Sequence, residues 1–225
     1  MAGARPLRRW VYGRIEVSGV GLPSGEVLVG GGIGKGWWLV VDEGEESGRI
    51  LAGPFQDRAD VGWAAGEHGL GTVDSARPVY GVRRADGVLH RRPSPQDWTW
   101  LAHLGGQLDR LADDWDAELA EDDPLVTLVV EVAAALAEAG LSLHDCTGSD
   151  GTIGGACLTP ERALAGIVVT WRQHDRMSVE QVHGPAADTA VQQVMNGALA
   201  DVLRVRGFAV EPFGGASGHV VRSFT

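Results

Sequence analysis

The chain has 225 residues, and its 30 acidic and 19 basic side chains give it a formal charge of −11. Its hydrophobic fraction of 44% suffices for the core of one domain or two small ones, which excludes an intrinsically disordered protein. Two cysteines in so long a chain exclude a scaffold held together by disulfides. Residues 1–9 lead into no apolar core of signal-peptide length, and no apolar run approaches the ~18 residues of a membrane helix. We therefore predict a cytoplasmic protein that does not contact a membrane.

The negative charge is concentrated in one segment. Residues 109–123 carry eight acidic side chains and one basic side chain, Arg110. Four arginines lie upstream of this segment and form a candidate binding patch: Arg83, Arg84, Arg91 and Arg92. An acidic chain is not typical of proteins that neutralise many nucleic-acid phosphates, so nucleic acid is not the expected partner. A local arginine face could still bind an anion.

Residues 1–92 predict a β-rich portion with one short helix. Runs of β-branched and aromatic residues alternate with glycine turns, which predicts two hairpins, residues 37–41 with 50–55 and residues 79–83 with 88–92. Asp86-Gly87 suits the tight turn of the second hairpin, because glycine accepts a positive φ. Between the hairpins, Asp57 can cap a short helix that ends near Gly66.

Residues 93–140 predict a helical hairpin. Ser94-Pro95-Gln96-Asp97 is a variant of the capping box, with proline at the first helical position. The apolar residues that follow recur at helical spacing: Trp98, Leu101, Leu104, Leu108, Leu111, Trp115 and Leu119. Gly105-Gly106 weakens this helix and allows a bend. A second helix begins after Asp123-Pro124 and ends at Gly140.

Residues 141–225 predict a ββαββ portion. Its strands cover residues 156–159, 167–171, 208–213 and 219–224, and its helix covers residues 186–206. Within that helix Asn196 interrupts an apolar run, and we expect its amide to lock a packing contact. The element order as a whole predicts an α+β fold with antiparallel sheets, ββα units and a central helical hairpin. Residues 140–155 form either a boundary or a functional loop.

Common nucleotide and hydrolase motifs are absent from the sequence. The glycine-rich residues 30–36 place Gly36 where a phosphate-binding loop needs a hydroxyl group for magnesium, and a strand rather than a helix follows. Neither Ser149 nor Ser217 has the G-x-S-x-G spacing of a nucleophile elbow. The sequence therefore predicts no cofactor.

The densest collection of reactive side chains lies around the polar loop. Its candidate catalytic residues are His144, Cys146, Asp150, His174 and Asp175, with Cys157 nearby in the sequence. An adjacent imidazole could lower the pKa of Cys146 and create a thiolate nucleophile. The same histidines and cysteines could bind zinc, but C-x-x-C and H-E-x-x-H spacings are missing, so no metal is predicted. A purely structural loop is the third interpretation.

The chain contains eight tryptophans and only two tyrosines. Trp37 and Trp38 must point to opposite faces of their strand, and Trp100 falls off the apolar stripe of its helix. These positions predict an exposed indole, and we take Trp100 together with the four arginines as candidate binding residues.

Four short segments of the last third of the chain, residues 154–160, 171–175, 195–196 and 211–214, carry a resemblance. On these segments the chain resembles uncharacterised proteins from actinobacterial mobile elements and phages. The resemblance implies an accessory role on a mobile element, and it assigns no role to any single residue.

Three functional hypotheses follow from these patterns. The leading one is a non-enzymatic binding or regulatory accessory protein that acts through protein-protein contacts and can form a homodimer. The alternative is a small hydrolase or transferase that uses the His/Cys/Asp loop. The second alternative is binding of an anion or nucleic acid through the arginine patch.

Overall fold

A computed structural model describes residues 21–22, 34–42, 48–67, 76–120, 122–147, 154–174, 177, 184–215 and 217–223. Contacts within these residues separate the described parts of residues 12–101 from those of residues 102–225, which form two compact units. We call them the first and second unit. The division falls inside a helix, whereas the sequence patterns change at residues 92 and 140.

The first unit is built on a five-stranded antiparallel sheet. Its elements in chain order are β1 (Gly21–Leu22), β2 (Gly34–Asp42), β3 (Gly48–Phe55), α1 (Arg58–Glu67), β4 (Ala76–Arg83) and β5 (Leu89–Arg91). The strand order is β1-β5-β4-β2-β3, so both predicted hairpins are confirmed. Gly87 adopts a φ of 85° in the second hairpin turn, and the Asp57 carboxylate accepts a hydrogen bond from Asp60 N at 3.0 Å before α1.

Both faces of this sheet carry apolar clusters. One cluster contains Trp38 with Val40, Ile50, Val79 and Leu89. The other contains Trp37 and neighbouring side chains of β2 and β3 together with Val61 of α1. Trp37 and Trp38 do point to opposite faces, and both are buried. The exposed indoles among the described residues are those of Trp63 and Trp98. Apolar side chains line both faces of the strand, unlike in a sheet with one solvated face.

The second unit is built on a four-stranded antiparallel sheet with strand order β6-β7-β9-β8. The elements after β5 are α2 (Pro95–Leu108), α3 (Pro124–Glu138), β6 (Gly155–Glu161), a 3₁₀ turn (Arg162–Leu164), β7 (Gly166–Arg172), α4 (Gly184–Val205), β8 (Ala209–Phe213) and β9 (Gly218–Arg222). The helices α3 and α4 pack on this sheet and on each other. The predicted ββαββ order is confirmed, and the fold class is α+β.

The helix α2 is shorter than its apolar stripe predicts. Its capping box is confirmed, because Ser94 Oγ accepts from Asp97 N at 3.1 Å and the Asp97 carboxylate accepts from Ser94 N at 2.7 Å. The helix passes through Gly105-Gly106 but ends at Leu108 instead of Leu119. Tight turns follow, in which hydrogen bonds join residues three apart, such as Leu119 N to Asp116 O. The acidic side chains after Leu108 would oppose the negative end of a longer helix.

Asn196 joins α4 to the sheet where β9 stops pairing with β7. Its Oδ1 accepts a hydrogen bond from Trp171 N at 2.7 Å, and its Nδ2 donates to Ser217 O at 3.1 Å. Asn196 is buried, so this side chain satisfies two backbone groups that the strand pairing leaves open. The predicted structural lock is confirmed.

No helix within the described residues combines the length and apolar composition that crossing a membrane requires.

Candidate functional site

The predicted polar loop begins where α3 ends. Gly140 has a φ of 79°, Gly140 N donates to Ala137 O at 3.0 Å, and Leu141 N donates to Leu136 O at 2.9 Å. These two bonds form a Schellman motif, which needs a residue in the left-handed region and so favours glycine at this position. The predicted helix end at Gly140 is confirmed, and it directs the following residues toward β6.

Backbone hydrogen bonds fasten this loop to β6. Leu143 forms a parallel bridge with Ala156, in which Ala156 N donates to Ser142 O at 3.0 Å and His144 N donates to Ala156 O at 2.9 Å. The contact leaves no room for a side chain at Gly155, because a Cβ there would lie 2.5 Å from His144 N. The loop therefore lies directly on the first residues of β6.

The other side of the loop is held by the end of α2 and the turn after it. Gln107 Oε1 accepts from Leu143 N at 2.9 Å, and Arg110 Nη1 donates to Leu143 O at 3.0 Å. Cys146 N donates to Arg110 O at 2.7 Å. Residues on both sides of His144 are thus fixed by protein groups, although the loop has no regular secondary structure.

This anchoring brings three side chains together. A ring nitrogen of His144 and the Sγ atoms of Cys146 and Cys157 all lie within 4.8 Å of one another. We call them the His/Cys cluster. His144 is 4% exposed, Cys157 is half-buried and Cys146 is exposed, so the cluster extends from the interior to the surface. Soft sulfur and imidazole ligands in one place are typical of zinc and related transition metals.

Neither thiol is prepared to act as a thiolate in the metal-free protein. Burial raises the pKa of Cys157 from its ordinary 9.0 to about 11, and the neighbouring Cys146 adds to the increase. Burial, followed by the Asp145 carboxylate, also raises the pKa of Cys146. The hypothesis of a nucleophilic thiolate required the opposite direction, because only the thiolate attacks.

The other predicted catalytic residues do not join the cluster. His174 lies just beyond β7 and is half-buried, but its ring is not among the ligand atoms that meet in the described part of the chain. Asp150 and Asp175 lie outside the described residues.

The predicted binding residues belong to the first unit and differ in environment. Arg83 is half-buried. Its Cζ lies 5.9 Å from the centroid of the Trp38 ring, and its Nε donates a hydrogen bond to Gly87 O at 3.2 Å. Arg91 is half-buried in β5, whereas Arg84 and Arg92 are exposed just beyond their strands. Trp100 is half-buried, while Trp98, which was placed on the inner stripe, is 48% exposed. The assignment of inner and outer indole in α2 is therefore reversed.

Sequence reasoning missed a cavity beside Cys157. It has a volume of about 640 Å³ and is lined by Cys157, Thr170, Trp171, Arg172, Gln173, Asp188, Thr189 and Gln192. Cys157 pairs with Thr170 in the sheet, so Thr170 and Arg172 share its face. Period-two alternation along residues 166–172 could have placed Arg172 on this face, but only after the register with β6 was known.

Comparison with known proteins adds no assignment, because no protein-family model, curated protein or solved structure matches the chain. The resemblance to mobile-element proteins stays a prediction.

Proposed function

We propose that the second unit binds a zinc-type transition metal ion through His144, Cys146 and Cys157. The observation that carries this proposal is the convergence of their three ligand atoms within 4.8 Å. Zinc holds imidazole nitrogen and thiolate sulfur at ~2.0–2.3 Å, which places neighbouring ligand atoms about 3.5 Å apart. At most 4.8 Å separates any two of the three ligand atoms, so binding requires them to approach one another by no more than about 1.3 Å.

The raised thiol pKa values are compatible with a metal site. A bound divalent cation favours the thiolate and displaces the thiol proton, so the protonated state describes only the metal-free protein. The Arg172 guanidinium lowers the pKa of both thiols and so assists their deprotonation. The cytoplasmic location predicted from the sequence fits the proposal as well, because free thiols persist in a reducing compartment.

Cobalt substitution tests the proposal directly. Co²⁺ takes the place of zinc and produces a sulfur-to-metal charge-transfer band when thiolates bind it. We expect this band in the wild-type chain, a weaker band in Cys146→Ser and in Cys157→Ser, and no thiolate band when both are replaced. His144→Gln should weaken Co²⁺ binding, whereas the matched control His103→Gln, which changes an exposed histidine of α2, should bind as the wild type does. A wild-type chain without the band, or a Cys146→Ser variant with an unchanged band, would refute the proposal.

A second proposal, independent of the first, retains the leading hypothesis of protein-protein contacts. Trp63 on α1 is 75% exposed, and large exposed indoles are enriched at the centres of protein interfaces. The proposed partner is a second copy of the chain. Sedimentation of the wild-type chain and of Trp63→Ala, followed by partner capture with both, tests this role. Equal association of the two proteins would count against it.

A further inference from the structure

A tetrahedral metal ion has four coordination positions, and the three ligands of the His/Cys cluster leave one of them unfilled. Within the described residues, no fourth histidine, cysteine or carboxylate atom belongs to the His/Cys cluster. Cys146 is exposed, so one side of the cluster faces solvent. Zinc sites with three protein ligands typically hold water or a substrate group in the fourth position.

A cationic side chain lies near the two sulfur atoms. Arg172 is on the same face of the sheet as Cys157, and its charge reaches both sulfur atoms. No hydrogen bond or ion pair of Arg172 with another described residue is present. Within the described part of the chain, its guanidinium group is thus not engaged by another side chain.

The cavity beside Cys157 is an open groove of about 640 Å³, and hydrogen bonds fix part of its wall. Gln192 donates its side-chain amide to Trp171 O, and Gln173 donates its own to Asp188 O, so these two amides hold α4 against the end of β7. Arg172 and Cys157 line one side of the cavity, and Asp188 of α4 lines another. The carboxylate of Asp188 would repel an anion, which confines an anionic group to the side of Arg172.

The charges at the cluster favour an anion in the fourth position. A divalent ion with two thiolates and a neutral imidazole has no net charge. The Arg172 charge acts on both thiols, whereas the Asp145 carboxylate acts on Cys146 alone, so an anion is favoured on the side of the ion that faces Cys157 and Arg172. Guanidinium binds carboxylate and phosphate oxygens with charge-assisted hydrogen bonds, and a zinc-type ion accepts the same oxygens.

From this arrangement we infer that the second unit binds a small ligand with an oxyanion head group, a carboxylate or a phosphate, shared between the fourth metal position and Arg172. The inference rests on the proposed metal site. Arg172 is then a specificity-determining residue and no metal ligand, so its loss should affect the anion and leave the ion in place.

Anion titration of the Co²⁺-loaded full chain tests this inference. Acetate and methyl phosphate serve as probes, and the ligand-field bands of the cobalt ion report a change in the fourth position. We expect a saturable spectral change with at least one probe, and the probe that binds more tightly identifies the head group. Arg172→Gln should weaken that binding by about tenfold or more, because it removes a charge-assisted contact. Its thiolate charge-transfer band at saturating Co²⁺ should equal that of the wild type.

The control variant is Arg204→Gln, which changes an arginine of α4 that pairs with Asp201 at 2.9 Å and does not line the cavity. It should bind the anion as the wild type does. A wild-type chain that binds Co²⁺ but responds to neither probe would overturn the inference and leave the metal site standing. Anion binding unchanged in Arg172→Gln would overturn it as well, and a wild-type chain that binds no Co²⁺ would overturn both proposals.

Discussion

The side-chain oxygen of Gln107 accepts the hydrogen bond of Leu143 N at 2.9 Å, and this contact ties the end of α2 to the loop that carries His144. Both residues are buried, so neither group can exchange its partner for water. An amide in α2 thereby determines where a residue of the His/Cys cluster is held.

Replacing Gln107 by leucine should destabilise the protein and disturb the cluster. The variant leaves Leu143 N unpaired in the interior, which costs about 1–3 kcal/mol. Urea unfolding of the metal-free chain measures the loss, and Co²⁺ affinity should fall as well. Gln193→Leu, an exposed substitution on α4, should change the free energy of unfolding by less than about 0.5 kcal/mol. Equal effects of the two variants would contradict the positioning role of Gln107.

A methyl group at Gly155 should displace the loop. The new Cβ would lie 2.5 Å from His144 N and 2.7 Å from Leu143 C, and both are backbone atoms that cannot rotate away. We expect Gly155→Ala to lower stability and to weaken the thiolate band of the cobalt protein. Gly106→Ala is the matched control. This glycine lies in α2, and an added Cβ would have no atom within 4 Å apart from the neighbouring backbone of its own helix. It should stabilise the protein by about 0.5–1 kcal/mol. If Gly155→Ala keeps the wild-type band and stability, the loop is not seated as described.

The Asn196 amide should contribute strongly to the stability of the second unit. In Asn196→Leu, Trp171 N and Ser217 O both lose their partner. Ser217 is exposed, so its carbonyl can bond to water, but the N–H of half-buried Trp171 is left unsatisfied beside the new leucine, which costs about 1–3 kcal/mol. Thermal unfolding should show a large decrease in Tm relative to the exposed control Val194→Ala on the same helix. A Tm equal to that of the control would argue against the lock.

Metal affinity should rise with pH. Each thiol has a pKa above its ordinary value and must lose a proton to bind the ion, so a metal ion competes with two protons near neutral pH. The apparent affinity for Zn²⁺ should therefore increase by up to about 100-fold per pH unit in that range. Calorimetry in two buffers of different ionisation enthalpy should detect two released protons in the wild type and one in Cys146→Ser. Release of no proton would exclude thiolate ligation.

The stability of the metal-free protein should decrease at alkaline pH because of Cys157. Its pKa is about 11 in the folded chain and 9.0 in the unfolded chain, so its contribution is fully present below pH 9 and is lost as the pH rises toward 11. Urea unfolding with reductant and chelator at several pH values should show the wild type losing more stability over this interval than Cys157→Ser. Parallel curves for the two proteins would mean that the thiol is not desolvated.

Local signals in the sequence predicted the elements well. The capping box at Ser94, the turn at Asp86-Gly87 and the helix end at Gly140 each depend on a few contiguous residues. The α+β class followed from the order of these elements. The end of α2 at Leu108 was missed, because an apolar stripe continues past it into turns that also bury Leu111. Apolar side chains at helical spacing can therefore be buried although the backbone between them is not helical.

The order of the amino acids predicts most of the secondary structure, the antiparallel hairpins and the presence of two thiols and imidazoles in one polar region, but it does not predict the end of α2. Which of these side chains lie close together depends on the tertiary structure. Cys146 and Cys157 come together because Leu143 pairs with Ala156 in a parallel bridge and Gly155 lets the loop approach the strand. Arg172 reaches the same place through the register of β6 with β7. Such pairings join residues that are distant along the chain and depend on packing, so no spacing pattern within a single segment reveals them.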